Sequence, residues 1–167
     1  GATYNVWPVP VESPIHGERE MIVDPADPTA SPFGWHDVDG SEGPEYRITR
    51  GNNVHAYQDS EAQNGSSNDE PNGGDDLVFD FPFFPDLEPD TSQPLAVTQL
   101  FYMNNVMHDF TYAYGFTEEA GNFQTNTYGN GGVGQDYVLA EAQDGAGTNN
   151  ANFSSPADGA NGRMQMF

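Results

Sequence analysis

Four residues carry an imidazole: His16, His36, His55 and His108. A zinc centre needs at least two such groups at a fixed spacing, typically i and i+4 on one helix, and no pair of these four meets it. Cysteine is absent, which excludes thiolate catalysis, Cys-ligated zinc and disulfides together. No Gly-x-Ser-x-Gly elbow, phosphate-binding loop or dinucleotide fingerprint occurs, and Gly131-Gly132-Val133-Gly134 lacks the strand-to-helix setting such loops require. His108, followed by Asp109 and set beside apolar residues, reads as a core-edge histidine bonded to a carbonyl or carboxylate. Carboxylates are the chemistry that remains. Asp37-Val38-Asp39-Gly40-Ser41 and Asp75-Asp76 offer the clustered oxygens that calcium takes, but the glycine falls fourth where an EF-hand needs it sixth, and no closing Glu stands twelfth. Solvated acidic turns are therefore expected there. Asn64-Gly65-Ser66 and Asn152-Phe153-Ser154 match the glycosylation acceptor pattern.

The charge balance excludes two classes of partner. Twenty-six acidic residues face four basic ones, a net charge of −22, and the only cations are Arg19, Arg47, Arg50 and Arg163. Nucleic acid and anionic membranes both need a basic patch, and none can be built from these. No run of about 18 apolar residues is present to span a bilayer. Leu, Ile, Val and Phe make up about 18% of the 167 residues, on the disordered side of the composition rule. Eleven Phe, eight Tyr and two Trp argue the other way and predict a thin, aromatic-rich core.

The elements that must position any site follow from local signals. Residues 1–57 hold seven prolines at spacings too short for a long helix, so short strands and turns such as Glu20-Met21-Ile22-Val23 are expected. Residues 58–76 read QDSEAQNGSSNDEPNGGDD, with six acids and no apolar periodicity, which predicts a solvated or disordered acidic loop. In Leu77–Phe84, Leu77, Phe79, Phe81 and Phe83 share one parity, and Pro82 demotes the segment to an edge strand or an extended aromatic segment. One long core helix is predicted over about 93–114: Asp90-Thr91-Ser92 supply capping residues, Pro94 lies in the first turn, and Gly115 stops it. Its apolar stripe steps through Ala96, Leu100, Met103, Met107, Phe110 and Tyr114, with Val97 and Phe101 widening the buried face to more than one side. Residues 136–142, 148–153 and 163–167 then read as a C-terminal antiparallel strand set. The fold class is α+β. The alternating run Arg163–Phe167 has no cap, turn or polar tail after it, which predicts a piece of a longer protein.

Two stretches carry a resemblance. Val97-Thr98-Gln99-Leu100-Phe101-Tyr102 leads through His108-Asp109 to Tyr114-Gly115-Phe116 and Glu119-Ala120-Gly121-Asn122-Phe123. Asp136-Tyr137-Val138 then leads to Ala142-Gln143-Asp144-Gly145, Gly147-Thr148-Asn149-Asn150-Ala151-Asn152-Phe153 and Gly162-Arg163-Met164. Together they resemble the fungalysin family, secreted zinc endopeptidases of the thermolysin-like clan made with an N-terminal propeptide. Ala2-Thr3-Tyr4, Thr29-Ala30-Ser31-Pro32-Phe33 and Thr49-Arg50-Gly51-Asn52-Asn53 fit more loosely.

The resemblance implies the incomplete N-terminal part of a thermolysin-like catalytic domain over 1–167, divided into a strand and turn region (1–57), the acidic loop (58–76) and a helix with cleft-edge strands (77–167). It implies that Asn150 and Ala151 lie along a bound peptide, with the Asn150 amide bonded to substrate backbone. It further implies Zn2+ held by a downstream His-Glu-x-x-His helix, beginning within about twenty residues of Phe167. No catalytic or zinc-ligating residue is therefore expected in this chain, which alone should be inactive. Other implications are an extracellular location, calcium as a second ion, and three partners: protein or peptide substrates, the C-terminal half of the protease (continuous or as a nicked chain) and the propeptide. The alternative is an acidic calcium-binding structural or interaction module without catalysis.

Overall fold

A computed structural model describes residues 1–167. The first strand, β1 (Thr3–Val6), lies between β2 (Glu20–Val23), antiparallel to it, and the two-residue β4 (Val78–Phe79), parallel to it. A second sheet runs β3 (Val54–Gln58), β5 (Val138–Ala142), β7 (Arg163–Met166) and β6 (Ala151–Ser154). The one long helix, α1 (Gln93–Ala113), packs against β3 and β5 of the larger sheet and β1 of the smaller.

The α+β class and the helix agree with the sequence, and the strand set needs one correction. β3–β5 and β5–β7 are parallel, and only β6–β7 is antiparallel. Parallel neighbours need long crossovers, and Val138 of β5 lies opposite Val54 of β3 across a connection that includes α1 itself. The acidic segment 58–76 is ordered in turns and bridges, with Asp59 and Pro71 buried while most of the rest is exposed. The expected parity at 77–84 holds. Leu77 and Phe79 are buried, Phe81 and Phe83 half-buried, and Val78, Asp80, Pro82 and Phe84 exposed.

The core is as aromatic as the composition implied. Tyr4 stacks on Phe79 with ring centroids 5.3 Å apart, and His36 stacks on Phe79 at 5.2 Å and on Phe101 at 4.9 Å. Val54, Ala56, Val97, Tyr102, Val138 and Ala140 complete the cluster. Buried polar residues are at least as numerous as buried apolar ones. The low aliphatic content is thus offset by internal hydrogen bonds, for each buried polar group left unpaired costs about 1–3 kcal/mol.

The helix signals act differently from expectation at its start. Ser92 does not cap α1; its Oγ accepts the Phe84 N–H at 3.0 Å, after a 3-10 turn over Pro89–Ser92. At the other end Gly115, with φ 100°, lets the Phe116 N–H turn back onto the Thr111 carbonyl at 3.0 Å.

The buried face of α1 is the principal correction. Leu95, Val97, Thr98, Phe101, Tyr102 and Asn105 face the core. The stripe through Met107 (49% exposed), Phe110 (56%) and Tyr114 (80%) faces outward. Polar residues enter the core because the helix satisfies them: Thr98 Oγ1 donates to the Pro94 carbonyl at 2.7 Å, and Asn105 Nδ2 to the Phe101 carbonyl at 2.9 Å while its Oδ1 accepts Asn53 Nδ2. The helix is therefore covered on one side only within these residues.

Candidate functional site

β6 is an edge strand, and all four of its residues are exposed. It is held on one side by β7, Ala151 opposite Met166 and Ser154 opposite Arg163, with the Phe167 N–H extending the ladder to the Asn150 carbonyl at 3.1 Å. Asn149 enters the strand at φ 50°, a left-handed conformation that asparagine tolerates better than most residues. Gly162 keeps the strand base close, because a Cβ there would meet the Phe123 and Phe153 rings at 3.0 Å. An edge strand so presented has free main-chain donors and acceptors, which an extended peptide pairs with irrespective of its side chains.

Asn150 and Ala151 stand together at the start of this edge. Asn150 is exposed, and its Oδ1 accepts the Ala151 N–H at 2.9 Å, leaving Nδ2 without a bond in the chain. Alongside, the outward stripe of α1 forms an apolar groove with the ends of β5 and β7, lined by Leu100, Met103, Met107, Met164, Met166 and Phe167.

The histidines are dispersed and each is engaged. His16 Nδ1 meets Ser13 Oγ at 2.9 Å, His55 Nε2 bonds Glu70 at 2.6 Å, and His108 Nδ1 bonds Asp109 Oδ1 at 2.9 Å. His36 lies between Tyr4 and the Arg50 carbonyl. No three-residue group close enough to share an ion includes a histidine. His108 matches its expected structural role.

Asp109 does more than orient His108. Its two oxygens also accept the Asp27 N–H at 2.9 Å, the Ser31 hydroxyl at 2.8 Å and the Trp35 indole at 2.8 Å. One carboxylate near the end of α1 thus pins segment 27–35 to the helix.

The acidic turns are held both by their own loops and by distant side chains, and Asp37 is not solvated as expected. Asp37 is buried and accepts the Gly40 N–H and the Tyr128 hydroxyl, and Glu45 Oε2 accepts the Val38 and Asp39 N–H groups. Burial, first among the causes, pushes the Asp37 carboxyl above the usual carboxylate range. Asp75 pairs with Arg47 at 2.7 Å on the surface. A different carboxylate group, Asp59, Glu141 and Asp144, is buried and close-packed. Sequence reading missed it because Asp59 is separated from Glu141 and Asp144 by about half of the chain. The available signal was Glu141 itself, an acid inside the otherwise apolar strand run 138–142.

This part of the α+β fold presents an open edge strand beside an uncovered apolar helix face. Comparison with known sequences gives its lineage: residues 3–167 match the family described as "Fungalysin metallopeptidase (M36)", and the chain belongs to that family. It is 45% identical over 168 residues to "Extracellular metalloproteinase 2" of Trichophyton rubrum, covering 99% of this chain and 26% of the relative. It is 47% identical over 167 residues to "Extracellular metalloproteinase 9" of Coccidioides posadasii, with 99% and 26% covered. "Extracellular metalloproteinase 5" of Trichophyton tonsurans is 44% identical over 166 residues, with 99% and 27% covered. The chain thus spans about a quarter of the length of the curated relatives it matches.

Proposed function

We propose that the complete protein is a secreted zinc-dependent endopeptidase, and that this chain supplies its substrate-binding edge strand and one cleft wall. The observation that carries this reading is the exposed Asn149-Asn150-Ala151 entry to β6, free on its outer side and set next to the apolar groove. Family membership and the extracellular metalloproteinase relatives support it.

In this reading an extended protein or peptide substrate adds to β6 by main-chain hydrogen bonds. Asn150 Nδ2 bonds a substrate carbonyl and Ala151 contributes main chain. Zinc is held by residues beyond those described here. When bound, it supplies a Lewis acid and an activated water. The outer face of α1 packs against the C-terminal half, whether that half is continuous or nicked, and an N-terminal propeptide covers the cleft before maturation. Calcium is proposed as a second, structural ion. Membership of a peptidase family weighs against a purely non-catalytic calcium module.

Asn150→Ala in the complete protein is the test. One such hydrogen bond is worth about 0.5–1.5 kcal/mol, so kcat/KM on a peptide substrate is expected to fall roughly 2- to 13-fold. Tm should be unchanged, because the side chain is exposed and fills no core. Wild-type kinetics in the variant would remove Asn150 from the substrate site.

A further inference from the structure

Three carboxylates meet inside the protein at the ends of two parallel strands. Asp59 directly follows β3, Glu141 lies within β5, and Asp144 opens the turn that follows β5. One oxygen from each lies within 4.8 Å of the others, and the residues are only 4%, 0% and 2% exposed. Like charges this close and this dry repel strongly, and proteins normally answer with a Lys or Arg. None does so here. The chain has no Lys, no cation lies within ion-pair distance of the three, and Arg163 bonds Asn64 Oδ1 at 2.7 Å and Gln165 Oε1 at 3.3 Å.

The hydrogen bonds leave one oxygen over. Asp59 accepts the Gln63 N–H at 2.9 Å and the Asn64 N–H at 2.7 Å. Asp144 accepts the Ala146 N–H at 2.7 Å and Gln165 Nε2 at 2.6 Å. Glu141 Oε1 accepts the Tyr57 hydroxyl at 3.0 Å, while Glu141 Oε2 is fully buried and has no partner. Buried polar atoms are rarely left so, and an orphaned oxygen on one of three close-packed carboxylates points to a positive partner, a cation or a proton.

We propose that Asp59, Glu141 and Asp144 form a buried site for a hard divalent cation, calcium above all, with Glu141 Oε2 as the oxygen satisfied only by the ion. The donor set is all oxygen, as a hard cation prefers and a zinc or copper site does not. Calcium–oxygen distances of about 2.3–2.6 Å put opposite ligands about 5 Å apart, which accommodates the observed spacing. The bonded oxygens of Asp59 and Asp144 each keep a second lone pair for the ion.

The ion's structural work follows from what its ligands hold. Asp59 starts the acidic loop and anchors its first turn, its carbonyl accepts the Gly145 N–H at 3.0 Å, and the Asp144 N–H bonds the Met166 carbonyl at 3.0 Å. A bound cation therefore fastens the loop, β5 and the end of β7 to one another, directly behind the edge strand. The site does not depend on peptidase activity, and its failure would leave that reading intact.

The competing arrangement is a proton on Glu141, whose carboxyl burial pushes above the usual range, with the Asp144 carboxylate adding to the rise. Three measurements on the complete, zinc-loaded protein separate the two. Calcium about 100-fold above its Kd should raise Tm by on the order of 5 °C more than NaCl at equal ionic strength. Glu141→Gln should lose most of that increment while matching or exceeding the wild-type Tm without calcium, because it removes one repelling charge. The wild-type increment persisting in Glu141→Gln overturns the site, as does calcium acting no better than NaCl. If Glu141→Gln does not fold, Asp144→Asn carries the same expectation. Terbium adds an independent readout, since Tyr57 bonded to Glu141 is placed to sensitise it: a saturable, calcium-displaced luminescence should drop severalfold in Tyr57→Phe. Luminescence unchanged in that variant overturns the proposal, and stability indifferent to calcium but falling as pH rises above the usual carboxylate range assigns the pocket to a proton and overturns it too.

Discussion

Replacing Asp109 by alanine is expected to destabilise the complete protein by about 3–5 kcal/mol. The carboxylate is only 9% exposed and accepts from the Asp27 amide, the Ser31 hydroxyl, the Trp35 indole and His108. Hydrogen bonds to a charged group contribute about 1.5–3 kcal/mol each, and they do not add in full when they share one acceptor. The indole is the costly orphan, because Trp35 is buried in the core cluster. A loss of this size is a third or more of a typical domain's stability. Urea titration should show a markedly lower midpoint, with Asp109→Asn intermediate because one oxygen acceptor survives. A midpoint within 1 kcal/mol of wild type would mean that segment 27–35 is held by packing alone.

Acid should weaken the fold through His36. The Arg50 carbonyl can only accept, so Nδ1 carries the proton and donates to it at 3.0 Å; Nε2 therefore accepts the Tyr4 hydroxyl at 2.7 Å, and the ring is neutral. Burial holds its pKa down at about 4, against about 6.5 in the unfolded chain. Above pH 6.5 both states are neutral and the residue has no influence on the balance. Between pH 6.5 and 4 the unfolded chain takes up a proton that the folded one refuses, so stability falls as pH falls, by about 3 kcal/mol in all. Below pH 4 this loss stops growing. Melting curves from pH 7.5 to 4 for wild type and His36→Gln should differ in slope over that window, whatever the variant costs at neutral pH. An NMR titration placing the His36 pKa between 6 and 7 would rule the mechanism out.

Local signals in the sequence were read well, and relations between distant segments were not. The helix was legible at 93–114 and observed at Gln93–Ala113, because Pro94 and Gly115 act on their own neighbours. The parity of Leu77, Phe79, Phe81 and Phe83 survived for the same reason. Which face of α1 is buried was not legible. Thr98 and Asn105 enter the core by bonding the helix's own carbonyls, while the more apolar Met107 and Phe110 face outward. Strand direction failed similarly, since nothing near 138–142 or 163–166 records that the two strands run parallel. At the candidate site, Asn150 and Ala151 were located through the family likeness, and their role on substrate is the proposal made above. The buried carboxylates escaped notice because Asp59 and Glu141 become neighbours only when β3 and β5 pair.

That pairing also governs the order of assembly. Tyr57 and Glu141, 84 residues apart, bond across the β3–β5 ladder, so β3 emerges from the ribosome long before its partner exists. At about 5–20 residues per second the wait is roughly 4–17 s. Such non-local pairings also fold slowly once the chain is complete, because loop closure must precede any gain from contact. Through that interval Val54, Ala56 and Tyr57 lie open to other chains. Like charges repel, so the net charge of −22 on this chain disfavours pairing of that open strand with another copy's.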